Sequence, residues 1–330
     1  MELAPGVMLV GRKSLVYANE FKYLNLLATS DFLISSTQLE SNFPLSLVCD
    51  SINAINSQIN MKNNLRIAIV QFAIAHLNPK INLERAETYI KQATEQNAQV
   101  VVFPEDFMTG SIFGDTKNLD RDHTFLKQFQ TLAKKYSIDI VSGSWMEETP
   151  KGALSTTNYI DSHGKVLGEY HKNHLYLSER HFLTPGTEVS VFTTSYGKVG
   201  LIICWDIMFP EIFKRMNKLG VQIVYCPSYW YKEIAGKGLG HNNQAEEQHL
   251  DALCLARAIE NNIIFVYANA AGVMHFSNNT SDHLVGHSQI TLPFMGAITK
   301  LEHNSEEMII QNVDLSILSL AKETYHLRAE

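Results

Sequence analysis

The sequence predicts an α/β fold built as a layered sandwich, with sheets inside and helices outside. Two observations carry this. From Leu65 onward, apolar strand-like runs alternate with segments of helical spacing, and several runs are nearly continuous in apolar residues, as strands covered on both faces are. Around 154–172 two strand patterns follow each other with no helix between them, which disfavours a purely βαβ barrel. No repeat, low-complexity tract or linker interrupts 64–330, so this stretch is predicted to be a single domain.

Leu65-Arg66-Ile67-Ala68-Ile69-Val70 opens the alternation as a strand. Leu83, Ala86, Ile90 and Ala93 recur at helical spacing and predict a helix over 82–97. Val100-Val101-Val102-Phe103 reads as a buried strand, and Phe125, Phe129, Leu132 and Tyr136 form one face of a second helix. Ile138-Asp139-Ile140-Val141 is the next strand. Further strands are predicted at 154–160, 165–171, 199–204, 221–226 and 262–268, helices at 209–219 and 243–261, and a final strand at 307–313. Residues 1–60 are rich in Ser, Asn and Leu and lack this alternation. They read as an extension: either it precedes a physiological start at Met61, or it forms a short helical arm that docks on the body or on a partner.

Composition sets the class. Of 330 residues, 45% are hydrophobic and 18% charged, enough for a chain of this size to bury about three-quarters of its unfolded surface. The 27 basic residues are outnumbered by 34 acidic ones, giving a net charge of −7, which argues against nucleic acid as a partner. No apolar run approaches the roughly 18 residues of a membrane span, and Met1-Glu2-Leu3-Ala4-Pro5 lacks the basic flank of a secretory signal. Cys49, Cys204, Cys226 and Cys254 are scattered, as expected of a reduced, cytoplasmic protein rather than a disulfide framework.

Three segments carry candidate chemistry. In Val199-Gly200-Leu201-Ile202-Ile203-Cys204-Trp205-Asp206, an apolar strand ends in a cysteine, and Pro210 stands where a helix begins. A nucleophile at a strand-to-helix turn projects from the backbone, and helix-end amides favour negative charge. Taken alone, a free cysteine is more often a small core residue, which is the reading for Cys226 and Cys254. Phe103-Pro104-Glu105-Asp106 places an acid just past a buried strand, where a desolvated Glu with a raised pKa serves as a general base. Tyr170-His171-Lys172-Asn173-His174-Leu175 offers an ammonium for a developing oxyanion, and one that would lower the pKa of a nearby thiol.

Together, Phe103-Pro104-Glu105, Lys172-x-His174-Leu175 and Cys204-Trp205-Asp206 with Phe209-Pro210-Glu211 resemble the nitrilase superfamily of carbon–nitrogen hydrolases. Arg257-Ala258-Ile259-Glu260-Asn261 and Gly286-His287-Ser288 support the resemblance, which spans about 65–313. It implies a four-layer αββα sandwich that pairs into a homodimer or higher homo-oligomer. It also implies hydrolysis of a small amide or N-carbamoyl amine through a cysteine thioester, with no cofactor. By the same resemblance Cys204 is the nucleophile, Glu105 the base, Lys172 the oxyanion lysine and Glu179 the second glutamate. One departure is Leu292, where the family usually has an acidic residue; it lies away from the triad and bears on loop packing. True nitrilases usually carry Glu after the Cys-Trp pair, whereas Asp206 matches amide- and carbamoyl-cleaving relatives.

Loops 107–120 and 228–242 are expected to build the substrate pocket, with Phe107, Trp205 and Trp230 as its candidate residues. Gly236-Lys237-Gly238-Leu239-Gly240 imitates a phosphate loop without its spacing and reads better as a mobile lid carrying Trp230 and Tyr231. His241, His249, His283 and His287 lack metal-ligand spacing, so no metal is expected. An acyltransferase on the same scaffold, a nitrile hydrolase and a non-catalytic binding member are the competing functions. The intact Glu–Lys–Cys set disfavours the last.

Overall fold

The computed structural model describes residues 9–11, 14–16, 64–277 and 279–326. The chain divides into two compact units, Met1–Lys62 and Asn63–Glu330. In the first, β1 (Leu9–Gly11) and β2 (Ser14–Val16) pair as an antiparallel hairpin with Leu9 opposite Val16. The rest of the predicted extension, including Cys49, lies outside the described residues.

The second unit begins with β3 (Asn64–Ala73), α1 (Pro79–Glu95), β4 (Val100–Val102), α2 (Thr124–Tyr136), β5 (Asp139–Thr149), β6 (Gly152–Ile160) and β7 (Val166–His171). It continues through β8 (Ser190–Thr194), β9 (Gly197–Leu201), a 3₁₀ turn at Cys204–Met208, α3 (Pro210–Lys218), β10 (Ile223–Ser228) and α4 (Ala245–Asn261). The remainder is β11 (Ile264–Ala271), β12 (Val273–His275), β13 (Ser281–His283), β14 (Gln289–Leu292), β15 (Gly296–Lys300), β16 (Glu307–Asp314) and α5 (Ile317–Tyr325).

Strands β7-β6-β5-β4-β3, with β16 antiparallel on β3, make one half; β11-β10-β9-β8, with β14 and β15 beyond β11, make the other. Among the described residues the strand pairing that links the halves is that of Phe72 and Ala73 of β3 with Ala270 and Ala271 of β11. Alternation along the strands explains the layering. Ile67 and Ile69 of β3 face a core shared with Val199, Leu201, Ile223 and Tyr225 of the second half. The intervening Ala68, Val70 and Phe72 face Ala86 and Ile90 of α1 and Phe129 and Leu132 of α2. Ile212, Phe213 and Met216 of α3 and Leu250, Cys254 and Ala258 of α4 cover the other sheet. The result is helix, sheet, sheet, helix.

Helix α1 starts where Pro79 fixes the first turn and the Asn78 side chain accepts from Ile81 N–H. Its buried face contains Asn82, Ala86, Ile90 and Ala93, and the expected Leu83 is half-buried and packs at its edge. The Asn82 amide donates to the carbonyls of Ala75 and Met108, tying α1 to the chain just beyond Glu105. Strand β5 runs far past the expected Val141 because a register shift between Val141 and Ser144 breaks its apolar alternation. Gly143 sits in that bulge with φ +67°, where a Cβ would come within 2.2 Å of the Pro104 carbonyl. The bulge lets the segment carrying Glu105 pass close to the sheet.

Candidate active site

Four loop segments meet at one end of the sandwich. Glu105 follows β4 by three residues, and its backbone N–H donates to the Ser228 carbonyl at the end of β10 (3.2 Å). Lys172 follows β7, pinned by its N–H to the Ser155 carbonyl (3.0 Å). Glu179 opens a 3₁₀ turn, and Cys204 opens the turn between β9 and α3.

The Lys172 ammonium, 1% exposed, donates to Glu105 Oε1 and to Glu179 Oε1, each at 2.7 Å. The second oxygen of each carboxylate is also held: Glu105 Oε2 accepts from Tyr229 N–H (2.9 Å), and Glu179 Oε2 from Tyr176 N–H (2.7 Å). Burial alone would pull the ammonium down, but the two facing carboxylates outweigh it and hold Lys172 well above its ordinary range. The Cys204 thiol has Glu105 and Ser228 as hydrogen-bonding neighbours. Burial first, and then the Glu105 charge, push this thiol well above its usual value; Lys172 opposes them without prevailing. Lys172 therefore does lower the thiol's pKa, as expected, but burial and Glu105 outweigh it, and its charge is already shared by two carboxylates.

Cys204 has φ +46°, a left-handed conformation that is strained for a residue with a Cβ. Asp206, fully buried, holds it there. Its Oδ2 accepts from Ile203 N–H (3.0 Å) and the Tyr170 hydroxyl (2.8 Å), and its Oδ1 accepts from His174 N–H (2.9 Å) and ring Nδ1 (2.7 Å). Since a carboxylate only accepts, Nδ1 carries the His174 proton. The His174 ring stacks on Phe209 at 3.8 Å, and Arg257 donates to the Ile207 carbonyl (2.9 Å) from beneath the turn. The spacing of Lys172-x-His174 and Cys204-x-Asp206 thus has a geometric reason: the lysine loop and the nucleophile turn are clamped through Asp206.

Glu105, Lys172, Glu179 and Cys204 all line one cavity of about 150 Å³. Trp205 lines it too, with Tyr176, Tyr229, Tyr231, Asp106 and Asp282. Two sequence candidates do not. Phe107 is fully buried in the helix-side core, stacked on Phe103 at 5.0 Å, because the chain turns inward after Glu105. Trp230 is buried behind Trp205 (5.1 Å between rings) and donates from Nε1 to Glu246 Oε2 at 2.7 Å, so it backs the site rather than lining it. Tyr231 and Ile234 of the expected lid do reach the cavity. Sequence reasoning missed Asp106, Tyr176 and Asp282; the only signal for Asp106 was its place directly after Glu105.

Cys226 and Cys254 are free, buried core residues. His283 and His287 pair with Glu233 and Asp251, and line a separate groove of about 550 Å³ whose described lining includes no cysteine. Among the described residues no group of three or more His, Cys, Asp or Glu is placed to hold a metal ion, and no helix is long and apolar enough to cross a membrane.

A family model described as carbon-nitrogen hydrolase matches residues 66–323. A probable nitrilase of Schizosaccharomyces pombe, C965.09, is 29% identical over 276 residues, covering 81% of this chain and 94% of the relative. The omega-amidase NIT2 of Xenopus tropicalis is 29% identical over 281 residues, covering 80% and 94%. The fold matches that of Saccharomyces cerevisiae Nit3, a member of branch 10 of the nitrilase superfamily, with a TM-score of 0.69 at 24% identity over 79% of this chain and 94% of that one.

Proposed function

The chain belongs to the carbon–nitrogen hydrolase family, and from that premise we propose that it hydrolyses a small linear amide or N-carbamoyl amine through a thioester on Cys204. The observation that carries the reading is the buried Lys172 ammonium held at 2.7 Å from both Glu105 and Glu179, in the cavity that also contains the Cys204 thiol. Glu105 takes the thiol proton as sulfur attacks the carbonyl carbon. Lys172 and the backbone N–H of Trp205 stabilise the oxyanion of the tetrahedral intermediate. The intermediate collapses, Glu105 returns the proton to the leaving nitrogen, and ammonia departs. Water deprotonated by the same Glu105 then attacks the thioester, and the acid is released with the thiol restored. Glu179 fixes the ammonium through one oxygen and the Tyr176 backbone through the other. The amidase named among the relatives supports amides over nitriles.

The same reading makes the protein a cytoplasmic homo-oligomer, its oligomeric state tested by light scattering on the purified protein. The deciding experiment measures ammonia release from matched amides, N-carbamoyl amines and nitriles. Amide or carbamoyl turnover, with a Cys204 acyl adduct seen by mass spectrometry after rapid quench, is expected. Faster acid formation from a nitrile than from its amide refutes the assignment.

A further inference from the structure

We propose, on the basis of that amidase reading, that the cavity selects substrates whose far end carries a protonated amine, and that Asp106 is the carboxylate that receives it. Asp106 lines the cavity and is 5% exposed, yet its Oδ1 has no hydrogen-bond partner. A buried polar atom without a partner is uncommon and calls for a reason. Its backbone, by contrast, is fully engaged: the N–H donates to Ser144 Oγ (3.3 Å), and the carbonyl accepts from Thr109 (3.1 Å) and Gly110 (2.6 Å). The residue is held rigidly, with φ +53°, and the open valence is on the side chain.

The charges around it point to a cation. Of the described residues lining the cavity, Lys172 is the sole lysine or arginine, and its ammonium is already taken by Glu105 and Glu179. Asp106 and Asp282 are then acids without a cationic partner in the cavity. Asp282 is oriented by the Tyr229 hydroxyl, which donates to its Oδ2 at 3.1 Å. An amide with a carboxylate tail would meet Asp106 and Asp282, with the one lining ammonium already taken. An ammonium would meet two carboxylates and an aromatic wall in which Tyr176 lies 5.1 Å from Trp205 and 6.3 Å from Tyr231, rings whose faces attract alkylammonium groups. Burial, followed by the charges of Glu105 and Glu179, pushes the Asp106 carboxyl well above its ordinary value, a shift that an ammonium beside it would oppose.

The test compares three matched series of short linear amides and N-carbamoyl amines, ending in an ammonium, a methyl or a carboxylate group. In the native enzyme kcat/KM for the ammonium series should exceed that for the methyl series by about ten-fold or more, with the carboxylate series slowest. Asp106→Asn should cut the ammonium-to-methyl ratio by about ten-fold, and Asp282→Asn should cut it less, because Asp282 already has a hydroxyl partner. Ratios are read within one enzyme preparation, so a partly folded variant does not disturb them, and the native ratio needs no variant at all. Equal rates for the ammonium and methyl series, or the fastest rates with the carboxylate series, overturn this inference while leaving the hydrolase reading intact. No ammonia from any series overturns both.

Discussion

Replacing Asp206 with Asn tests whether the nucleophile turn depends on one buried carboxylate. The native group accepts four hydrogen bonds, from Ile203 N–H, Tyr170, His174 N–H and His174 Nδ1. An asparagine amide has one oxygen, so its NH₂ must face one pair of those donors. Whichever way it turns, a backbone N–H, of Ile203 or of His174, confronts another N–H. The Tyr170 oxygen has little freedom to reverse its role, since it already accepts from Asn173 N–H at 3.2 Å. At about 1.5–3 kcal/mol per hydrogen bond to a charged acceptor, the one or two bonds lost amount to about 1.5–6 kcal/mol. That is a large part of the stability of an ordinary domain. Urea unfolding followed by tryptophan fluorescence would show a lower midpoint with little change in slope. Since the same bonds hold Cys204 in its left-handed conformation, turnover should fall by about two orders of magnitude or more under conditions where the variant is still folded. A variant within about 1 kcal/mol of the native stability would refute the clamp.

Cys204→Ala should abolish turnover with the fold kept, whereas Cys226→Ala should leave most activity; the reverse outcome in an ammonia-release assay would move the nucleophile. Glu105→Gln and Lys172→Ala should each lower kcat by about two to three orders of magnitude, and the double variant should fall short of the product of the two losses. Glu105→Gln should also shift the pH midpoint of Cys204 alkylation by iodoacetamide downward, because it removes a negative charge that raises the thiol pKa and leaves the lysine in place; an upward shift would contradict the charge balance of the site. A chain beginning at Met61 should be folded and active by circular dichroism and ammonia release, since β3 starts at Asn64; loss of activity would show that the extension contributes to the enzyme.

Strand and helix periodicity made the sandwich legible, because Ile67 and Ile69 serve one core while Ala68 and Val70 serve the other. What escaped were β1, β2, β8, β12 to β15 and α5, which are short, and several of which are only half-buried and carry too few apolar residues for alternation to register. The site was readable as far as its motifs ran: Glu105, Lys172, Glu179 and Cys204 do share one cavity. Its wall was not. Phe107 and Trp230 were natural choices as large residues near the motifs, but large apolar side chains are drawn into cores, and the cavity wall is instead built of tyrosines and acids. Nor does sequence spacing reveal that Asp206 lies outside the cavity lining and grips the lysine loop.

The charge balance of the site bears on how the proposed reaction starts. One buried ammonium faces two carboxylates, so the group as a whole is negative before sulfur is counted. A resting thiolate would add a second negative charge to a largely buried site, where charges are weakly screened. The thiol is accordingly pushed up rather than down, and Cys204 rests protonated. A cysteine poised in this way is a weak nucleophile until a carbonyl is in place to receive its electrons. As sulfur attacks, its proton moves to Glu105, and negative charge passes from the Glu105 carboxylate to the substrate oxygen. The Lys172 ammonium, relieved of part of its first partner's charge, is then free to meet the oxyanion while Glu179 keeps hold of it. The two glutamates are therefore not duplicates. One must give up its charge during the reaction, and the other must keep its own so that the lysine stays in place.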